Sequence, residues 1–69
     1  MATAYRFRGG VFNRKGFYNK AIQNFDEAIR LKPDYFIAYS GRGFAKFKQG
    51  RYDRAIRDFD EAICLEPEF

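Results

Sequence analysis

The amino-acid sequence predicts an all-α fold of two stacked helix–turn–helix repeats, which together form a short piece of an α-solenoid. The segment AIQNFDEAIRLKP (Ala21–Pro33) returns 34 residues later as AIRDFDEAICLEP (Ala55–Pro67). In both copies the apolar residues follow the i, i+1, i+4, i+7, i+8 pattern of one buried helical stripe. The chain has only 69 residues, so the two units share at most one small domain.

The duplicated segments predict the second helix of each repeat. Their apolar stripes are Ala21, Ile22, Phe25, Ala28 and Ile29 in the first copy, and Ala55, Ile56, Phe59, Ala62 and Ile63 in the second. The polar residues between them, Asp58 included, are assigned to the solvated face. Pro33 and Pro67 end these helices, because proline disfavours helical geometry in the residue before it.

A second helical pattern precedes each duplicated segment. It contains Tyr5, Arg8, Gly9 and Phe12 in the first copy, and Tyr39, Arg42, Gly43 and Lys46 in the second. Gly16 and Gly50 predict tight turns after these helices, and Asn19 and Asp53 are expected to favour the start of the next ones. The predicted helices cover about 3–15, 18–31, 35–48 and 52–65, and their short connections make neighbours antiparallel.

Two glycines lie inside the predicted first helices, at equivalent positions of the two copies. Gly9 and Gly43 each cost about 1 kcal/mol relative to alanine in a helix. Their recurrence favours a close approach between the helices of each pair. We expect them to face the small alanines of the second helices, at 21 or 28 and at 55 or 62.

The pattern Tyr5-x2-Arg8-Gly9-x2-Phe12, then Ala21-x3-Phe25 and Pro33, resembles the tetratricopeptide repeat, a helix–turn–helix unit of the same length. The resemblance covers the whole chain, as one repeat over 2–35 and a second over 36–69. Arg8 and Arg42 replace the usual leucine, and Lys46 replaces the usual aromatic residue. We expect the arginines to lie along the packing seam and to pair with a carboxylate such as Asp26 or Asp60.

Composition narrows the possible chemistry. The chain has one cysteine, Cys64, and no histidine, with 13 basic and 9 acidic residues for a net charge of +4. Ser–His and Cys–His catalysis and an internal disulfide are therefore excluded, and we expect no enzyme activity, no cofactor and no metal site. Cys64 is expected to be buried and inert. A lone thiol and the lack of an export signal or apolar span favour a cytoplasmic protein.

The resemblance implies a protein–protein interaction scaffold whose concave face binds an extended peptide or a partner helix. The first helices of the repeats would line that face, through Thr3, Arg6, Phe7, Gly10, Asn13, Arg14, Ile37, Ser40, Gly41, Phe44, Phe47 and Lys48. Phe44 and Phe47 are candidate anchors, with packing on neighbouring helices as the alternative. The basic residues favour an acidic partner. Capture of a chaperone's terminal carboxylate is disfavoured, because Gly10 and Gly41 stand where asparagines are expected.

Self-association is the alternative function. Two repeats without a polar cap leave the last helix uncovered, and the apolar residues expected there are Ile56, Ile63 and Leu65. The chain is then either part of a longer array or a homo-oligomer that covers this surface by stacking or swapping helices with a second copy. Nucleic-acid binding is less favoured, since the basic residues are scattered among acidic ones in the sequence.

Overall fold

The computed structural model of the protein describes residues 1–68 and contains four helices in that part of the chain. They are α1 (Ala2–Lys15), α2 (Tyr18–Leu31), α3 (Phe36–Lys48) and α4 (Tyr52–Leu65). α1 packs on α2 and α3 on α4, while α3 also packs on α2 and lies beside α1. The all-α prediction is confirmed, with every helix end within one residue of its predicted place. Phe69, the predicted end of the second repeat, lies outside the described residues.

Within each pair, the two helices are joined by a tight turn that contains a glycine. Gly16 and Gly50 both have φ of 81°, the left-handed region that glycine adopts without strain. Asn19 and Asp53 lie in the first turns of α2 and α4, near the helix starts as predicted, but they are not the N-cap residues. The N-cap residues are Phe17 and Arg51, and neither makes a side-chain capping bond within the described chain.

The core is built from small residues around one aromatic ring. Phe25 is only 2% exposed and is surrounded by buried alanines, among them Ala21, Ala28, Ala38 and Ala45. A Cβ atom added to Gly9 would lie 2.9 Å from the Phe25 ring, and one on Gly43 would lie 2.9 Å from the Phe59 ring. The predicted close approach is confirmed. The predicted partners, the alanines of the second helices, are not the main contacts. The longer side chains of Phe25 and Phe59 reach across to the glycines instead.

A buried ion-pair cluster, which the sequence reasoning missed, joins α3 to α4. Arg42 donates Nε–H and Nη2–H hydrogen bonds to the carboxylate of Asp58 at 3.0 and 2.7 Å, and Lys46 Nζ lies 3.0 Å from Asp58 Oδ2. Asp58 is 5% exposed, so its assignment to the solvated face is wrong. The two cations of α3 supply the charge that permits its burial. The hydrogen bond to Asp58 in turn raises the pKa of Arg42.

The first repeat lacks this cluster because Asn24 stands where the second has Asp58. Arg42 also donates to Asp26 Oδ1 at 2.8 Å, as the sequence predicted. The predicted pairing is wrong for Arg8, which forms no ion pair with a carboxylate of the described residues; its guanidinium lies 5.7 Å from the centre of the Tyr5 ring. The two equivalent arginines therefore have different roles.

Cys64 is exposed, which contradicts its predicted burial. It occupies the position of α4 that Arg30 occupies on α2, and Arg30 is exposed as well. The helical register therefore turns this thiol to solvent despite its apolar neighbours. Within residues 1–68, none of the helices combines the length and the apolar character that crossing a membrane requires.

Candidate functional site: a groove between the first helices

An open groove of about 480 Å³ lies along α1 and α3. It brings together most of the side chains that the sequence predicts for the concave face. From that set its lining contains Arg6, Phe7, Gly10, Asn13, Arg14, Ile37, Ser40, Gly41 and Phe44. Thr3, Phe47 and Lys48 lie outside it.

The floor of the groove is the ring of Phe25, a residue that the sequence analysis assigned only to the core. Phe25 belongs to the lining although it is only 2% exposed, because Gly41 packs against its ring without a side chain. A Cβ on Gly41 would lie 2.4 Å from Phe25 Cζ, whereas one on Gly10 would meet no atom within 4 Å beyond its own stretch of helix in the described chain. Close packing against Phe25 therefore explains the glycine at position 41 but not the one at position 10.

The walls of the groove are apolar and turned to solvent. Phe7 is 57% exposed and Phe44 is 41% exposed, with Ile37 close by in the same lining. Large aromatic side chains left this accessible contribute little to the core of the isolated chain. Such surfaces mark interaction sites more often than accidental exposure.

The charged residues of α1 and α3 differ in sign from many of those on α2 and α4. The charged residues of the two groove helices are all basic: Arg6, Arg8, Arg14 and Lys15 on α1, and Arg42, Lys46 and Lys48 on α3. Every acidic residue of the chain lies on α2, on α4 or outside the helices. Seven of the 13 basic residues of the chain therefore lie on α1 and α3, where no acidic residue accompanies them. Arg42 and Lys46 are directed to Asp58, which leaves Arg6 and Arg14 as the cations of the lining.

Two polar contacts fix α1 and α3 relative to each other beneath this surface. Asn13 donates an Nδ2–H hydrogen bond to the Gly41 carbonyl at 3.0 Å, while its buried Oδ1 accepts none from the described residues. At the other end Arg6 donates an Nε–H bond to the Tyr35 hydroxyl at 3.3 Å. Hydrogen bonds with Thr3 and Arg6 lower the pKa of Tyr35. These two contacts join α1 to α3 and to the residue that precedes α3.

Two of the predicted residues outside the groove lining, Phe47 and Lys48, contact other aromatic side chains. Phe47 is half-exposed, with its ring 5.4 Å from that of Tyr52, so it packs towards the turn between α3 and α4. Lys48 Nζ lies 5.6 Å from the centre of the Phe44 ring. Lys48 thus adds a positive charge beside one wall.

A second apolar surface lies on the outer face of α4. Ile56 and Ile63 are 55% and 59% exposed, while Leu65 is half-buried. Their counterparts on α2, Ile22 and Ile29, are partly buried against the core, where α3 packs on that helix. A shallow cavity of about 410 Å³ is present here, and its lining includes Phe59, Ala62 and Ile63.

Comparison with known proteins shows what this arrangement is. The sequence profile of the family described as TPR repeat matches residues 9–50, and the one described as Tetratricopeptide repeat matches residues 36–69. The chain belongs to the tetratricopeptide repeat family. Repeats of this family generally mediate protein–protein interaction, and scaffolds built from them are generally non-enzymatic.

A solved structure agrees with this assignment. The chain is similar to the crystal structure of MamA, with a TM-score of 0.92 and 32% sequence identity. The similarity covers 99% of this tetratricopeptide repeat chain and 40% of the MamA chain. No curated protein matches the sequence. The chain thus spans less than half the length of MamA.

Proposed function

We propose that this tetratricopeptide repeat chain is a protein-interaction module whose groove binds an acidic segment of a protein partner, as a peptide or a helix. The observation that carries the proposal is the sorting of charge. All charged side chains of α1 and α3 are basic, and exposed phenylalanines lie on the same two helices.

The two kinds of residue have different roles in this proposal. Arg6 and Arg14 attract carboxylates, which raises the rate of encounter and selects against basic partners. Phe7 and Phe44 supply apolar area, and buried aromatic side chains carry much of the energy of protein interfaces. A partner therefore needs both negative charge and an apolar side chain.

Binding of labelled peptides tests the proposal. We expect an acidic peptide that contains glutamate and phenylalanine to bind, as measured by fluorescence anisotropy, and its glutamine counterpart to bind at least about tenfold more weakly. Arg14→Glu should weaken binding of the acidic peptide. The matched control is Arg57→Glu, which reverses an exposed charge on α4. Equal binding of the two peptides, or equal losses in the two variants, would refute the proposal.

Self-association is the second candidate function, and the exposure of Ile56 and Ile63 favours it. When α3 packs on α2, it leaves the equivalent Ile22 and Ile29 only partly accessible. A helix from a second copy that packs on α4 would cover the outer isoleucines in the same way. This homo-oligomer would leave the groove between α1 and α3 available to a partner.

A further inference from the structure

We infer that the groove contains a slot for one phenylalanine side chain of the bound segment, with Gly10 and Gly41 at its sides and the Phe25 ring as its floor. This inference rests on the proposed function and adds the chemistry of the ligand. The segment would be extended and acidic, with a single aromatic side chain inserted between the two groove helices.

Gly10 is the residue that points to a slot. Glycine is unfavourable inside a helix, so a mid-helix glycine needs a compensating role. Packing supplies that role at Gly9 and Gly41, where an added Cβ would lie 2.9 and 2.4 Å from the Phe25 ring. At Gly10 the same atom would meet open space in the described structure. A side chain at position 10 would instead restrict access to the groove.

The surroundings of the slot match an aromatic side chain. Three phenylalanines belong to its lining: the exposed Phe7 and Phe44 and the nearly buried Phe25. Aromatic rings pack favourably edge to face and in offset stacks. The groove volume of about 480 Å³ is within the roughly 300–1,000 Å³ of typical ligand pockets, so it has room for a ring and part of the adjoining backbone.

The charged residues around the slot determine which residues are favoured beside the inserted phenylalanine of the ligand. Arg6 and Arg14 belong to the same lining, and both groove helices lack carboxylates. Arginine pairs well with carboxylates through its planar guanidinium group. Acidic residues on either side of the inserted phenylalanine are therefore favoured, whereas basic ones are repelled.

Two labelled peptides and three variants of the full chain, Arg14→Glu among them, test the slot. The peptides share a Glu-rich sequence and differ at one central residue, phenylalanine or serine. Gly10→Leu fills the slot, while Gln23→Leu places the same side chain on the solvated face of α2. Circular dichroism melting of all three variants establishes that they are folded. Fluorescence anisotropy then gives the dissociation constant of each peptide.

We expect the phenylalanine peptide to bind the unmodified chain and the Gln23→Leu variant at least about tenfold more tightly than the serine peptide. In Gly10→Leu this preference should disappear while the melting temperature stays the same or rises. If both peptides bind equally and Arg14→Glu weakens both, the slot is refuted and the acidic-peptide function stands. If Gly10→Leu keeps the preference, the slot is likewise refuted. If neither peptide binds, both proposals fail.

Discussion

Arg42 joins three helices through a single guanidinium group. It donates hydrogen bonds to Asp58 on α4 at 2.7 and 3.0 Å, and one to Asp26 on α2 at 2.8 Å. Lys46 Nζ lies 3.0 Å from Asp58 Oδ2 and forms an ion pair with it as well. The packing of α3 on α4 within the second repeat therefore depends on buried charge centred on Asp58, whereas the bond to Asp26 links the two repeats.

Replacing Asp58 with alanine should destabilise the fold strongly. The change leaves Arg42 and Lys46 partly buried without their shared carboxylate, and loss of one partner of a buried pair costs about 3 kcal/mol or more. Urea unfolding followed by circular dichroism measures the difference in free energy. Asp60→Ala is the control, since Asp60 is exposed and its loss should stay within about 0.5 kcal/mol. Equal stability of the two variants would contradict the role given to Asp58.

Gly43→Leu should also destabilise the fold. A Cβ at this position would approach the Phe59 ring to 2.9 Å and the Ala55 carbonyl oxygen to 3.2 Å. Overpacking of this kind typically costs about 1–3 kcal/mol, and the backbone contact places this site at the upper end. Gly10→Leu is the matched change in an open position and should leave the melting temperature unchanged or higher. A Gly43→Leu chain that melts like the unmodified one would show that α3 and α4 do not meet there.

Phe44→Ala should separate binding from stability. The side chain is 41% exposed on the groove wall, so its removal should weaken capture of an acidic, phenylalanine-containing peptide with little loss of helicity. Phe25→Ala is the contrasting variant, because truncation of a buried phenylalanine costs about 3–5 kcal/mol. Anisotropy and thermal melting measure the two effects. A large loss of helicity in Phe44→Ala would place that ring in the core.

Self-association through α4 should depend on its exposed isoleucines. We expect the mass measured by light scattering to rise with concentration for the unmodified chain. It should remain that of a monomer when Ile56 and Ile63 are both changed to glutamate. Leu31→Glu changes an exposed apolar residue elsewhere and should leave association intact. An unmodified chain that stays monomeric at high concentration would exclude this second function.

The helices were predictable because each depends on local information that the repeat supplies twice. The 34-residue period fixed the phase of both apolar stripes, and Gly16 and Gly50 marked the turns correctly. The groove followed from the family resemblance, which assigned most of its lining to the first helices. Its floor did not, because Phe25 is both a core residue and a groove residue only once Gly9 and Gly41, from two other helices, pack against its ring.

Asp58 escaped prediction because its burial depends on two side chains from another helix. A single-helix pattern places an aspartate among polar neighbours on the solvated face, and only Arg42 and Lys46 reverse that preference. Their presence at positions where the family has apolar residues was the available signal. Cys64 shows the opposite case, in which apolar neighbours suggested burial but the helical register shared with Arg30 turned the thiol outward.

Nuclear magnetic resonance titration tests the central claim, binding of an acidic segment along α1 and α3, most directly. Addition of the Glu-rich phenylalanine peptide to ¹⁵N-labelled protein should shift amide signals around Arg6, Gly10, Gly41 and Phe44. The signals of the outer residues of α2 and α4, such as Gln23 and Arg57, should remain in place. Shifts concentrated on α2 and α4, or no shifts at all, would contradict the proposed groove.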